Sequence, residues 1–137
     1  MQDCYAGDIG DYGKFGLLRA FEATGMRVGI NWYKTNTPAS NPHQIDGRYR
    51  IKDDFRECDP NLAGILIQIF NSEPSRTIEA LEQANLLNSN LYYSESVPVK
   101  DRTIWHEKAL AVLSSADIVF LDPDNGLIPK SLQRGSL

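Results

Sequence analysis

The polar residues with the clearest chemical potential follow an apolar run near residue 120. Ile-Val-Phe-Leu at 118–121 is followed at once by Asp122, Pro123, Asp124 and Asn125, which we call the Asp122 turn. A β-branched apolar run is typical of a buried parallel strand, and α/β proteins bind ligands at the carboxyl ends of such strands. We therefore predict a ligand site here, with these four residues as candidate catalytic groups. The alternative is an ordinary turn in which Pro123 only fixes the backbone.

Two basic residues near predicted helix starts are candidates for contacts with an anion. Lys14 follows a glycine-rich segment, but five residues separate Gly7 from Gly13 and Phe15 follows the lysine, so the phosphate-binding P-loop pattern is not met. Backbone amides at a helix start still favour an anion, and Arg56 lies just before a second helix start. Helix capping and surface ion pairs are the alternative interpretation of both residues.

Length, charge and composition narrow the class of protein. The chain has 137 residues and a formal net charge of −4, so we expect one domain without a strongly basic overall surface, although a local basic groove remains open. No apolar run is long enough for a membrane span, and the N-terminus lacks the pattern of a secretory signal. The two cysteines and two histidines show no metal-ligand spacing. We expect a cytoplasmic protein with reduced thiols and no membrane partner.

The elements that must position these residues alternate between helices and short strands. We predict helices that begin at Asp11, Asp59 and Asp101, each acting as N-cap, and a first helix that ends before Gly25. The third helix is predicted to bury a stripe made of Trp105, Ala109, Val112 and Ala116.

Strands are predicted at 28–33, 91–97 and 117–121, with a long loop at 34–54 and an ambiguous segment at 76–87. This alternation predicts an α/β fold, namely a Rossmann-like, mostly parallel open sheet with flanking helices. The first and last strands are expected to form its centre. We place a single domain at 1–127 and a polar, loose tail at 128–137.

The chain resembles a poorly characterised group of bacterial and mobile-element proteins related to S-adenosylmethionine-dependent methyltransferases. It is also distantly similar to adenine-N6 methyltransferases of ribosomal RNA. The likeness is carried by GDIGDYGK at 7–14, FRECDP at 55–60, Trp105-His106, and FLDPDNG at 120–126. It implies S-adenosylmethionine as cofactor and a nucleobase amine hydrogen-bonded by Asp122, in a sheet that ends early relative to the methyltransferase fold.

Three functions stay open from the sequence. The first is a methyltransferase-like protein that binds a nucleotide or nucleobase, free or within nucleic acid, near the Asp122 turn, with catalysis left open. The second is a non-catalytic dimeric interaction module from mobile DNA. The third is a magnesium-dependent phosphoesterase that uses Asp122 and Asp124, because carboxylate oxygens are the ligands that Mg²⁺ prefers. An uncovered edge beside the last strand also predicts a homodimer.

Overall fold

The computed structural model describes residues 1–35, 49–72 and 74–123. In these ranges the helices are α1 (Ile9–Ala23), α2 (Asp53–Arg56), α3 (Pro60–Phe70), α4 (Ile78–Gln83) and α5 (Arg102–Val112). The strands are β1 (Val28–Asn31), β2 (Leu91–Tyr93) and β3 (Ile118–Leu121). A 3-10 turn at Asp3–Tyr5 precedes α1.

The three strands form a parallel open sheet in the order β2-β1-β3. Gly29 lies opposite Leu91 on one side and opposite Val119 on the other, so β1 is the central strand. The predicted α/β, Rossmann-like class is therefore confirmed. The first and last strands do pair, as expected, but β3 lies at an edge of the described sheet instead of sharing its centre.

Both faces of the sheet are covered by helices. One face carries the larger core, in which Val28, Ile30 and Trp32 pack with residues of α1, α3 and α4. On the other face, Tyr93 packs with Trp105, Ala109 and Leu113 of the α5 region. Because successive strand residues point to opposite faces, Tyr92 belongs to the first core and Tyr93 to the second.

The start of α1 differs from the prediction. Asp8, not Asp11, is the N-cap: its backbone is extended and its side chain accepts a hydrogen bond from the Asp11 amide. Gly10 and Gly13 consequently lie inside α1, although the sequence placed them in an entry loop. Either aspartate fits the capping preference, and the tertiary role of Asp11, described below, decides between them. The predicted end is confirmed, since Gly25 follows the helix with φ of +90°.

The predicted strands are longer than the observed ones. β1 ends at Asn31, because Tyr33 has φ of +46° and cannot continue a strand. β2 ends at Tyr93, four residues before the predicted end. The ambiguous segment forms α4, with Thr77 as its N-cap.

Two further predictions are corrected at helices. Asp53 and Asp54, expected in a long loop, belong to the short helix α2, and 36–48 of that loop lie outside the described residues. In α5 the buried residues are Trp105 and Ala109, whereas Val112 is 47% exposed. Asp101 precedes α5 but makes no capping hydrogen bond with its side chain, because its backbone is left-handed.

The described residues end within the predicted domain. Residues 124–127 and the predicted tail at 128–137 lie outside them. None of the helices in the described ranges has the length and apolar character that a membrane span requires.

Substituting Gly7 tests the packing of the segment that precedes α1. Gly7 has φ of +78°, and a Cβ there would lie 2.6 Å from the Leu66 carbonyl oxygen and 2.8 Å from the Phe70 amide nitrogen. We expect Gly7→Ala to lower the free energy of unfolding by about 3 kcal/mol, from left-handed strain plus overpacking. Urea denaturation measures the change. The matched control is Gly13→Ala, which meets no atom within 4 Å and should stabilise α1 by up to ~1 kcal/mol.

Candidate ligand site at the carboxyl end of the sheet

The candidate site lies where the strand order reverses. The chain passes from β1 to β2 on one side and returns to β3 on the other side of β1. In open α/β sheets, the crevice at the carboxyl ends of two such strands is the usual ligand position. Here those ends are Asn31 of β1 and Leu121 of β3, joined by a hydrogen bond of 3.0 Å from the Asp122 amide to the Asn31 carbonyl.

Lys14 reaches this crevice from α1 and binds two carboxylates. Its Nζ lies 2.6 Å from Asp122 Oδ2 and 2.8 Å from Asp11 Oδ1. The same ammonium lies over the rings of Trp32 and Phe120, at 5.1 Å and 5.9 Å from their centroids. The site therefore holds one cation between two acids and two aromatic faces, a combination that attracts a positive charge from every side.

Asp11 and Asp8 fix the other end of this cluster. Asp11 Oδ2 accepts a hydrogen bond of 2.8 Å from the Gly7 amide, and Asp8 Oδ1 accepts one of 3.0 Å from the Asp11 amide. Asp8 thus caps α1, and Asp11 reaches back to an amide that precedes the cap. A helix start normally attracts an external anion, but here an acidic side chain of the protein already occupies part of that position.

Burial and neighbouring charges shift the pKa values of Asp11 and Lys14. Burial raises the pKa of Asp11, and the Lys14 ammonium and the Gly7 amide only partly oppose it. Burial alone lowers the pKa of Lys14, but Asp11 and Asp122 outweigh this and raise that pKa above its usual value. Lys14 is therefore a permanent cation at neutral pH and is unsuited to act as a nucleophile, which requires a neutral amine.

A pocket of about 220 Å³ opens beside the cluster. It is lined by Met1, Tyr5, Asp8, Gly10, Asp11, Lys14, Asp122 and Pro123. Within the described ranges, Asp122 Oδ1 makes no hydrogen bond, since Lys14 binds only the other oxygen. The Met1 amino group donates to the carbonyls of Trp32, Tyr33 and Asp122 and so borders the same space. Three of the eight lining residues are acids, and the two cationic groups, Lys14 and the Met1 amino group, already bind oxygens of the protein.

The structure brings some of the predicted site residues together and not others. Asp122, Pro123 and Lys14 meet at the pocket, although 108 positions separate Lys14 from Asp122. Arg56 does not line it: this residue lies on α2, half exposed and 3.2 Å from Asp53. Asp124 and Asn125 lie outside the described residues.

Sequence reasoning missed the part that Asp8 and Asp11 play in the pocket. Both were visible as acids beside Lys14, and Asp11 stands three positions before it, a spacing that allows an ion pair on a helix. No pattern in the sequence indicates that β3 brings a second acid to the same lysine, because that contact depends on how α1 packs on the sheet.

The sequence raises two groups that the site could hold, a metal ion and S-adenosylmethionine. In the ranges that the structure covers, no three histidine, cysteine or acidic residues gather as metal ligands. S-adenosylmethionine would need an open glycine-bearing turn after β1, yet Trp32 is fully buried there and Tyr33 packs on Trp105 with ring centroids 5.0 Å apart. The described residues after β1 therefore do not fit that cofactor.

Replacing Lys14 tests how much its charge contributes to the free energy of unfolding by compensating the buried acids. We expect Lys14→Met to lower the free energy of unfolding at pH 7 by about 3 kcal/mol or more, because Asp11 is left buried and uncompensated. A carboxyl whose folded pKa is raised favours folding increasingly as the pH falls, so the deficit should shrink in acid. Denaturation from pH 7 to pH 4 measures this. Lys14→Met combined with Asp11→Asn should recover part of the loss; wild-type stability in Lys14→Met contradicts the assignment.

Comparison of this chain with protein-family models, with curated protein sequences and with solved structures found no match. The assignment of a ligand therefore depends on the pocket itself. Its defining features are the position at the strand reversal, the Lys14 bridge between two acids, and Asp122 Oδ1, which accepts no hydrogen bond from the residues that the structure describes.

Proposed function

We propose that this protein binds a nucleobase or nucleotide through its base, in the pocket at the end of β3. The observation that supports this proposal most directly concerns the two carboxylate oxygens of Asp122. Lys14 binds Oδ2, whereas Oδ1 accepts no hydrogen bond from the described residues and is available to a ligand. An ionised carboxylate only accepts hydrogen bonds, so the matching ligand group is an N–H donor such as the exocyclic amine of a base. Lys14 positions Asp122 directly, and Asp11 does so through Lys14.

The charge of the pocket supports a base in preference to a phosphate. Three acids, Asp8, Asp11 and Asp122, line the space with two cations, Lys14 and the Met1 amino group. Lys14 is shared by two of the acids, and the Met1 amino group donates to three backbone carbonyls. A phosphate entering here would be repelled by the carboxylates, whereas a neutral base with an amine would not.

Methyl transfer to that amine is the reaction that the family resemblance implies, and it would require S-adenosylmethionine. The described residues after β1 do not fit this cofactor. A magnesium phosphoesterase gains no support either: a metal ion on Asp122 Oδ1 would lie close to the Lys14 ammonium, which is 2.6 Å from the other oxygen, and the two cations would repel each other. Base binding, with catalysis left to experiment, is the proposal that the pocket supports best.

Matched nucleosides test the amine. We expect adenosine or cytidine to bind at least about tenfold more tightly than inosine and uridine, which carry a carbonyl in place of the amine, because the carboxylate would then face an acceptor. Asp122→Ala should abolish this preference. Isothermal titration calorimetry gives the affinities, with S-adenosylmethionine titrated in parallel.

The control variant is Asp117→Ala, which removes an exposed acid at the opposite end of the last strand and should bind like wild type. Equal affinity for all four nucleosides would refute the role of the amine. Heat of binding with S-adenosylmethionine would reverse our conclusion about the end of β1 and restore the enzyme hypothesis.

We also propose that the protein is a homodimer, the state that a non-catalytic interaction module from mobile DNA would share. In the described part of the chain, β3 pairs only with β1, and Val119 and Leu121 on it are 38% and 45% exposed. An apolar strand edge of this kind favours pairing with another chain.

Exposed Cys4 and Cys58, which form no disulfide with each other, are in keeping with a reducing, cytoplasmic location.

Charges on the strand edge test the dimer. We expect wild type to have the mass of two chains by light scattering at tens of micromolar, and Val119→Lys with Leu121→Lys to have the mass of one, because like charges would face each other across the edge. Leu110→Lys, an exposed apolar position on α5, is the control and should remain dimeric. A wild-type protein with the mass of one chain at this concentration would contradict the homodimer.

A further inference from the structure

We propose that residues 49–56, which we call the rim segment, bind the backbone and flanking bases of a single-stranded nucleic acid whose target base enters the pocket. This inference rests on the proposed function, since the base is the part of the ligand that the pocket would take. It adds the class of substrate and a second surface, formed by residues that do not line the pocket.

The rim segment is fixed to the same helical turn that lines the pocket. The Tyr49 carbonyl accepts a hydrogen bond of 2.9 Å from the Ile9 amide, and Tyr12 donates its hydroxyl to the Phe55 carbonyl at 2.6 Å. Between these two anchors, Ile51 is buried in the main core. The segment is therefore held in place next to Asp8 and Gly10, instead of hanging from the surface.

Two aromatic rings remain exposed on this anchored segment. The side chain of Tyr49 is 59% exposed and that of Phe55 is 48% exposed, although their backbones are hydrogen-bonded to α1. Single-stranded nucleic acids bind on such rings by stacking, and this contact tolerates any base. Rings that are exposed on a fixed backbone suit stacking because little ordering is needed on binding.

Cations lie between the two rings. Arg50 and Lys52 are exposed and form no ion pair within the described ranges, while Arg56 is already 3.2 Å from Asp53. Arg50 also lies over the Phe70 ring at 5.5 Å, which holds its guanidinium in position. Because Asp53 and Asp54 follow directly in the sequence, we expect phosphate contacts only from residues 49–52, to about two phosphates. The logarithm of the binding constant should then fall with the logarithm of the salt concentration with a slope near −1.4.

The pocket itself leaves phosphate recognition to another surface. Asp8 caps α1, Asp11 binds the Gly7 amide, and Lys14 is bound to two carboxylates. A nucleotide whose base is in the pocket would therefore place its phosphates outside. Among the described residues, the rim segment is a neighbouring surface that offers cations and rings together.

Binding of a fluorescein-labelled 12-nucleotide DNA of mixed sequence, followed by anisotropy over a range of salt, tests the inference. We expect Tyr49→Ala with Phe55→Ala, and separately Arg50→Gln with Lys52→Gln, each to weaken binding roughly tenfold or more. The charge variant should also flatten the salt slope. Controls are Leu17→Ala for an exposed apolar residue and Lys108→Gln for an exposed cation on α5; both should bind like wild type.

Nucleoside titrations of the same variants separate the two proposals. Rim variants should keep wild-type nucleoside affinity, whereas Asp122→Ala should lose the nucleoside preference and keep most of the strand affinity. Nucleoside binding without DNA binding overturns the rim proposal and leaves the pocket intact; absence of both refutes the two together. Equal binding of a labelled glutamate dodecapeptide would show that the rim recognises negative charge in general, and would overturn the assignment to nucleic acid.

Discussion

The Lys14 ammonium is the interaction on which the rest of the site depends. It joins α1 to the end of β3 through Asp11 and Asp122, and its position over Trp32 and Phe120 places the charge at the border of the main core. Two buried or partly buried acids would repel each other without it. Because Asp11 and Lys14 lie on α1 and Asp122 follows β3, this small cluster joins the helix start to the strand end and borders the pocket between them.

This cluster changes the role of the lysine from the one that its glycine-rich context indicated. Near a helix start, a lysine can bind an external anion, and the helix amides then assist it. Here the chain supplies its own anions: Asp8 caps the helix, and Asp11 and Asp122 bind the ammonium. The lysine charge is therefore met within the protein, and for this reason we propose a hydrogen-bond donor, not an anion, as the ligand.

Much of the architecture could be predicted because local patterns and tertiary packing agree. Asp59-Pro60 begins α3, and Gly25 ends α1 with the positive φ that a helix end of this type requires. The predictions failed where two local solutions were equally good. Asp8 and Asp11 are both able to cap α1, and a stripe through Val112 or through Leu113 fits α5 nearly as well. Tertiary packing selected Asp8 as the N-cap of α1 and Leu113 as the buried residue, and Leu113 packs against the sheet at Gly29.

The sequence by itself determined the α/β class, the alternation of its elements and the acidic turn at the end of the last strand, since these follow from periodicity and turn chemistry within short windows. Only the tertiary structure decided which residues share the site. The pairing of β3 with β1, and the packing of α1 on the sheet, bring Asp122 within 2.6 Å of Lys14. That contact spans 108 positions, so no local pattern could encode it, and it places the Lys14 ammonium on one of the two carboxylate oxygens of Asp122.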